Sequence, residues 1–353
     1  MNTNKSFIPH SRPYIGTAEK KALAAVIDSG QIAGGYRVCQ LEQRLAHTVG
    51  HTQGVAVSSG TAALYLALKA LNVKKDEYVI IPSYVCTALL NAVIAAGAKP
   101  LICDIDGDSG LITTKTIKKI LRKKTAVIIA PHLFGNPLDI NEINKLGVPV
   151  IEDCAQCVGA GISGTKVGGS SVLSIFSFYA TKILGAGEGG MVATSNTTIN
   201  NKIIELREYD NRTLYTPTFN YKMSDLTAAV ALQQVDKLGD MIKMRRSIAR
   251  LFVKSVRTDS SVFVPMVEST TIKPMYYRFI IRSKTNHVTK IIKKFERNNI
   301  ACCRPVFKPL HEYLNKSGFP NTAAWFESAL SIPIYPGLSN DEIGRICTIL
   351  EQL

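Results

Sequence analysis

No stretch of this chain is apolar enough to cross a bilayer. The longest uncharged apolar run, 88–98, is interrupted by Asn91 and falls well short of the ~20 residues that a spanning helix takes. The opening segment, Met1-Asn2-Thr3-Asn4-Lys5-Ser6, carries no apolar signal core, so a cytoplasmic location is expected. A disulfide framework is also missing. The eight cysteines are scattered through apolar segments, among them Cys86, Cys103 and Cys347, in a long chain with no export signal. Cys154 and Cys157 form a single Cys-x-x-Cys, but Cys302 and Cys303 are adjacent and make no second spaced pair. Zinc ligation is therefore not expected, and no metal is assigned. Acidic residues are few, 27 against 42 basic ones, for a net charge of +15. The excess comes with no helix-turn-helix, zinc finger or aromatic RNA platform, so neither nucleic acid nor membrane is an expected partner. Its densest run, 115–124, sets Ile117, Ile120 and Leu121 on one stripe with the cations opposite, the pattern of a solvated helix face.

What is present is alternation. With 46% hydrophobic and 20% charged residues over 353 positions, the chain is an ordinary globular one with ample core. Strand-like runs fall at 54–58, 78–82, 100–104, 126–131, 148–153, 172–179 and 191–194. Helical patterns fall between and before them, at 17–29, 38–50, 62–71, 86–96, 114–123 and 141–145. Repeated strand-then-helix order implies an α/β fold whose mainly parallel sheet is covered on both faces. Ligands of such sheets bind beyond the carboxyl ends of the strands. A long helical pattern at 224–253 is followed by strand-like runs at 276–282 and 300–305, a basic helix at 288–298 and a closing helix at 340–352. The division expected is a large domain at 1–238 and a smaller C-terminal α+β domain at 239–353.

Three strand ends carry the chemistry. Lys182 stands between the apolar run 173–179 and the turn Gly185-Ala186-Gly187-Glu188-Gly189-Gly190. A buried run before it and a glycine turn after it suit close approach to a ligand better than they suit a surface lysine. Asp153 ends the run 148–153, with Glu152 facing the opposite way by strand alternation. Upstream, Val57-Ser58-Ser59-Gly60-Thr61-Ala62 reads as a strand feeding a helix, whose opening N–H groups suit an anion. Ser177 adds a hydroxyl and Gln156 an amide. An anion cradle, an acid and an amine on successive strand ends are what pyridoxal 5′-phosphate (PLP) requires. Lys182 holds the aldehyde as an imine and, once displaced, carries a proton. Asp153 keeps the ring nitrogen protonated, and Gln156 reaches the ring oxygen. Taken singly, each piece has a plainer reading: a snorkelling lysine, a helix cap, a common helix start. The Gly185-x-Gly187-x-x-Gly190 spacing imitates a dinucleotide fingerprint, but Met191-Val192-Ala193-Thr194 continues as a strand and not as the required helix.

These residues resemble the DegT/DnrJ/StrS family of PLP-dependent sugar aminotransferases, which have the aspartate aminotransferase type I fold. The resemblance runs nearly end to end. It includes Ser11-Arg12-Pro13, the Ser58-Ser59-Gly60-Thr61 turn, Ile81-Pro82-Ser83-Tyr84, His132-Leu133-Phe134-Gly135, Glu152-Asp153-Cys154-Ala155-Gln156, Ser177 through Lys182, Asn220-Tyr221-Lys222-Met223-Ser224-Asp225, Pro309-Leu310-His311 and Pro333-Ile334-Tyr335-Pro336. It implies Lys182 as the Schiff-base lysine, Asp153 at the ring nitrogen, Gln156 at the ring oxygen, and Gly60, Thr61 and Ser177 at the phosphate. It further implies a homodimer with shared active sites, Asn220 or Lys222 reaching the neighbour's phosphate. Tyr84 and His311 are the expected substrate contacts. The reaction implied moves an amino group from L-glutamate to a keto group of a nucleotide-linked sugar, in cell-surface glycan or secondary-metabolite synthesis. One position departs from the family. The aromatic residue that stacks on the ring is replaced by Cys86, so either Cys86 faces the ring as a soft apolar surface or Tyr84 moves in. Two other readings are a transaminase of a non-nucleotide cyclic ketone such as a cyclitol, and a non-catalytic regulator. Lys182 speaks against the regulator. The loops 31–36, 211–219 and 304–311 are expected to set the choice of sugar.

Overall fold

The computed structural model describes residues 6–210, 215, 217–285 and 288–353. Most of the segment read for an export signal, and residues 211–214 and 216 of the 211–219 loop, lie outside the described residues.

The chain opens with α1 (Thr17–Ser29) and α2 (Tyr36–Val49), then alternates: β1 (Gln53–Val57), α3 (Gly60–Ala70), β2 (Tyr78–Pro82), α4 (Ala88–Ala95), β3 (Lys99–Cys103), α5 (Thr114–Lys118), β4 (Thr125–Pro131), α6 (Ile140–Asn144) and β5 (Val150–Asp153). A short hairpin, β6 (Gly161–Ile162) and β7 (Thr165–Lys166), precedes β8 (Leu173–Ser177), β9 (Gly190–Thr194) and α7 (Thr197–Arg207). Seven strands make one sheet in the order β1-β9-β8-β5-β4-β2-β3. The β3-β2-β4-β5-β8 pairings are parallel, and β9 runs antiparallel to both of its neighbours. Six carboxyl ends therefore open on one edge.

Both faces of that sheet are covered, as the sequence periodicity requires. Val55 and Val57 of β1 join a core with Leu64, Leu68, Val93 and Ile128, whereas Ala56 between them joins Leu41, Leu45, Phe176 and Leu232 on the other side. Alternation along a strand sends neighbours to opposite faces, so continuous burial needs helices on both.

Beyond the sheet runs α8 (Asp225–Ser255), 31 residues long and capped by Ser224, whose hydroxyl accepts from the Thr227 amide at 3.3 Å. It is followed by β10 (Val262–Phe263), β11 (Ile272–Lys273), β12 (Phe279–Ser283), α9 (Val288–Glu296), α10 (Leu310–Tyr313), α11 (Pro320–Ser328), β13 (Ala329–Ile332) and α12 (Asn340–Glu351). Strands β10, β12 and β13 form a second, antiparallel sheet. It backs a core of its own, with Phe252, Phe279, Phe295 and Ile346. Position 238 falls inside α8, which carries the chain from one core to the other without a break. Ile8 packs in the C-terminal core and bridges Ile300, so the chain's beginning sits with its end.

The expected strand at 300–305 is not one: the segment makes only the bridges Ile8 to Ile300 and Cys303 to Ser331. The helix expected over 114–123 ends at Lys118. The helix expected from 86 starts at Ala88, which leaves Cys86 exposed on the loop before it. Helices α7 and α11 and strand β13 were not anticipated.

Asp225 ties the two long helices together. It is buried, and its carboxylate accepts from the amides of Gly35 (2.8 Å), Arg37 (3.1 Å) and Val38 (2.9 Å). The start of α2 has no side-chain cap of its own, so a carboxylate from α8 neutralises its amides and its dipole. Asp225→Ala strands those donors and is expected to cost about 2–3 kcal/mol, read as a lower urea midpoint. Asp225→Asn, which keeps an acceptor, is expected to cost less.

Candidate active site

A cavity of about 250 Å³ opens at the carboxyl edge of the large sheet, lined among others by Gly60, Thr61, Cys86, Asp153, Gln156, Ser177 and Lys182. Seven of the eleven residues singled out in the sequence thus share one space.

Each wall has a local cause. At the end of β1, the Ser59 hydroxyl accepts from the Ala62 amide at 3.1 Å and starts α3. The positive end of this 11-residue helix forms one wall. Residue 60 is held to glycine by packing: a Cβ there would lie 2.9 Å from Ser177 Cβ and 3.1 Å from its Oγ. Amides and a hydroxyl crowded together with no side chain between them suit a phosphate.

Asp153 ends β5 in the protein interior. Its Oδ1 accepts from the Ala155 amide at 3.0 Å. Burial pushes its carboxyl above the ordinary range, against the opposing pulls of the Ala155 amide, Lys182 and His132. No described residue makes an ion pair with it. Its neighbour Glu152 points to the other face and is fully engaged. It accepts from His132 Nε2 (3.0 Å), the Gly168 amide (2.6 Å) and the Ser170 amide (3.2 Å). The Leu138 amide donates to His132 Nδ1 at 2.8 Å, which puts the ring proton on Nε2, facing Glu152. Burial opposes the charge on Glu152, but these bonds hold its carboxyl below the usual range. His132, Glu152 and Cys154 bring ligand-type atoms within 4.8 Å of one another. With both ring nitrogens and both carboxylate oxygens committed, they form a structural network that fixes the end of β5.

Gln156 is oriented the same way. The Phe134 amide donates to its Oε1 at 2.9 Å, leaving the NH₂ end to donate into the cavity. Lys182 follows β8 on a turn in which its own amide donates to Tyr179 O at 2.8 Å. The side chain is half-buried, with Nζ 5.0 Å from the centre of the Tyr277 ring, within cation–π reach.

Four expected residues lie elsewhere. Tyr84, expected at the substrate, is 0% exposed, packed between Phe134 and Trp325 with centroids 6.1 and 6.0 Å away. That expectation is corrected: the ring sits behind the wall, and it does not take the place left by Cys86. His311 does not line the cavity; its Nδ1 is 2.7 Å from Ser83 Oγ and its ring stacks on Phe319 at 4.7 Å. Asn220 and Lys222 are exposed, and Lys222 pairs with Glu208 at 3.1 Å. His132, Glu188 and Tyr277 were given no role from sequence. His132 was findable, since it directly follows β4 at the edge where Asp153 ends β5. Tyr277 was not, because it is almost a hundred residues from Lys182 and on another sheet's approach.

A sequence model of the DegT/DnrJ/EryC1/StrS aminotransferase family matches residues 13–351. The chain belongs to this family. It is 30% identical over 362 residues to the GDP-perosamine synthase of Vibrio cholerae, covering 98% of each chain. Among solved structures, the aminotransferase TlmJ from Streptoalloteichus hindustanus superposes with a TM-score of 0.93 at 23% identity, over 98% of both chains. Spr1654 from Streptococcus pneumoniae in its PLP form superposes with a TM-score of 0.91 at 24% identity, again over 98% of both. The fold is that of PLP-dependent aminotransferases, and the family's enzymes depend on that cofactor. The residues here fit it: a glycine-and-hydroxyl cradle, a buried carboxylate without a counter-charge, and an amine share one cavity.

The raised Asp153 carboxyl gives a signed prediction. A buried acid whose folded pKa lies above its unfolded value weakens the fold most at high pH, and the penalty disappears below the unfolded pKa. Without cofactor, Asp153→Asn is expected to melt at or above the wild-type temperature at pH 8. The difference should close as pH falls toward the ordinary aspartate range, followed by calorimetry at several pH values. Lower melting of the variant at pH 8 would overturn this assignment.

Proposed function

We propose that this aminotransferase moves an amino group from L-glutamate to a keto group of a nucleotide-linked sugar. The observation that carries the chemistry is the meeting of Lys182 and the uncompensated carboxylate of Asp153 in one cavity. When bound, PLP supplies an aldehyde and an electron-accepting ring. The chain's residues supply the rest. Gly60, Thr61 and Ser177 hold the phosphate. Asp153 sets a negative charge against the ring nitrogen, and Gln156 donates to the ring oxygen. Lys182 would hold the cofactor's aldehyde, and its Nζ would hold and return the proton. Cys86 caps the ring face with a polarisable sulfur where relatives place an aromatic ring.

The substrate class rests on the likeness to GDP-perosamine synthases and on the excess of positive charge, which favours an anionic substrate. The reading includes a homodimer. Exposed Tyr36, Tyr179, Tyr209 and Phe219 are large apolar groups that a partner subunit would cover. Asn220 and Lys222 are exposed and do not line their own chain's cavity, and in this reading they enter a neighbour's. The reading keeps the division at 1–238 and 239–353 and the cytoplasmic location. No helix among the described residues is long and apolar enough to cross a membrane.

Borohydride reduction of PLP-loaded protein, followed by peptide mass mapping, is expected to place the cofactor on Lys182. Lys182→Ala should abolish the label and lower turnover by ~10³-fold or more; a label on another lysine would defeat the assignment. Keto sugars offered with and without their nucleotide separate the sugar reading from the cyclitol one. Mixing Lys182→Ala with Lys222→Ala subunits should restore about a quarter of wild-type activity, since half the random dimers carry one intact site. No recovery above the two parents would rule out sharing of Lys222 between subunits.

A further inference from the structure

The edge of the large sheet opposite the cofactor cavity carries a charge pattern that the transamination does not use. Strands β2, β3 and β4 are parallel neighbours and start level with one another: Tyr78 is paired with both Lys99 and Thr125. Neighbouring strands lie about 5 Å apart, so the turns that feed these three form one surface about 10 Å across.

Each turn is fixed by hydrogen bonds. Before β2, the Glu77 amide donates to Lys74 O at 3.1 Å and the Lys74 amide to Glu77 Oε2 at 2.8 Å, with Lys75 and Asp76 at the tip. Before β4, the Thr125 amide donates to Arg122 O at 2.9 Å and the Arg122 amide to Thr125 Oγ1 at 3.0 Å, with Lys123 and Lys124 at the tip. Before β3, where α4 ends, the Gly97 amide donates to Ile94 O at 2.9 Å. The turns are also tied to each other: Tyr78 N donates to Lys124 O and Lys99 N to Glu77 O, both at 2.9 Å.

Their charge is one-sided. Lys74, Lys75, Lys99, Arg122, Lys123 and Lys124 are all exposed, against the two carboxylates of Asp76 and Glu77. Asp76 accepts from Lys99 Nζ at 3.0 Å, and Glu77 is taken by the Lys74 amide. The helix expected to carry the cations of 115–124 into solvent ends at Lys118, so Arg122, Lys123 and Lys124 stand on the sheet edge beside those of another turn. Like charges this close lie within about one or two Debye lengths at physiological salt and repel. Holding them on rigid turns strains the free protein slightly and favours contact with a negative surface, which then pays no ordering cost.

The composition of the patch selects the partner. Five of its six cations are lysines. Its one arginine is engaged, with Cζ over the Tyr78 ring at 4.8 Å from the centroid, and that ring is thereby covered. Single-stranded nucleic acid is held by open aromatic faces and free arginine forks, and these turns present neither. They present instead an aliphatic side chain, Ile94, which is 55% exposed. Lysine ammoniums around an exposed aliphatic group match a layer of anionic headgroups over hydrocarbon.

We propose that this amino edge of the sheet is a docking face for an anionic lipid membrane. The turns at 74–77 and 122–125 meet the headgroups, and Ile94 enters the layer beneath them. The run 115–124 alone gave no reason to expect a membrane partner; the sheet register joins its end to a second basic turn. Strand β2 is five residues long, about 16 Å, so the cofactor cavity at the far edge stays open to soluble substrates. None of the exposed aromatic residues assigned to the partner subunit lies on these turns. The docking face does not depend on the transamination proposed above.

Flotation of the PLP-loaded enzyme with vesicles tests this, using phosphatidylcholine alone or with about one third phosphatidylglycerol. Wild type is compared with Lys123→Glu plus Lys124→Glu and with Lys290→Glu plus Lys293→Glu. The second pair is exposed on α9 and changes the net charge equally, away from this edge. Wild type is expected to float with the anionic vesicles only and to be released as salt is raised. The Lys123 and Lys124 variant should bind about tenfold more weakly or worse, the α9 variant within about twofold of wild type, and all three should transaminate equally. Ile94→Ser should weaken binding about threefold with the same salt dependence. Lys75→Glu, on the other turn, repeats the test with a loss of about threefold should the double variant fold poorly. Equal losses in the two double variants would mean general attraction to a basic protein and overturn the docking face, as would no flotation of wild type in dilute buffer. Retention of single-stranded RNA through Lys123 and Lys124 without flotation would give the edge to nucleic acid and overturn it too. Flotation of a protein that does not transaminate would sink the proposed function and leave the docking face standing.

Discussion

A carboxylate held inside a protein without a positive partner is an unfavourable arrangement, and the site is built around one. Burial of Asp153 works against its ionisation, and the Ala155 amide, Lys182 and His132 only partly offset this. The structure keeps it there because everything behind it is rigid. Glu152, the next residue back, is tied to His132, Gly168 and Ser170, and β5 is paired on both sides by β4 and β8. Two successive acids at one strand end thus divide the work. One is saturated with donors and locks the backbone. The other is left short of them, which is what the proposed role at a ring nitrogen would require. The cost of the second is a local instability that, under the proposed assignment, a bound cofactor would relieve.

The same division recurs at Lys182. The cofactor cavity on one side supplies a negative charge, and a second, smaller cavity on the other, lined among others by Arg12, Arg245 and Arg278, supplies only positive ones. The aromatic face of Tyr277 then offers the ammonium form a resting contact that is weaker than an ion pair. The glycine turn at Phe134 and Gly135 brings these parts together. Gly135 has φ near +90°, and a Cβ there would fall 2.5 Å from the Tyr277 amide, while Arg278 N donates to Phe134 O at 3.2 Å. The loop that orients Gln156 therefore also docks the segment carrying Tyr277 and Arg278.

How far the sequence revealed this follows from how local each cause is. Asp153, Lys182 and the Gly60-Thr61 turn were legible because each sits at the end of a strongly apolar strand, and parallel topology sends all such ends to one edge. Cys86 was legible as a departure, since the preceding residues set its place. Tyr84 was misjudged because adjacency to Pro82 says nothing about which way a side chain turns. It turned inward, between Phe134 and Trp325, and Trp325 comes from a helix that the local pattern did not show. The 300–305 run looked like a strand by composition. Its pairing depended on Ile8, nearly three hundred residues away, and that contact yields one bridge instead of a ladder.

The second cavity was invisible for the same reason in a stronger form. Its lining comes from the N-terminal segment, the turn after β8, the middle of α8, the approach to β12 and the segment after β13. No two of those pieces are neighbours in sequence, and the three arginines among them read as ordinary surface. Only the fold shows that Arg245 and Arg278 are turned inward, toward the same lysine and without an acid between them. Surface arginines in a basic protein need no explanation; buried ones lining a cavity without an acidic residue do. Selection for stability alone would have paired them with carboxylates or replaced them with apolar residues.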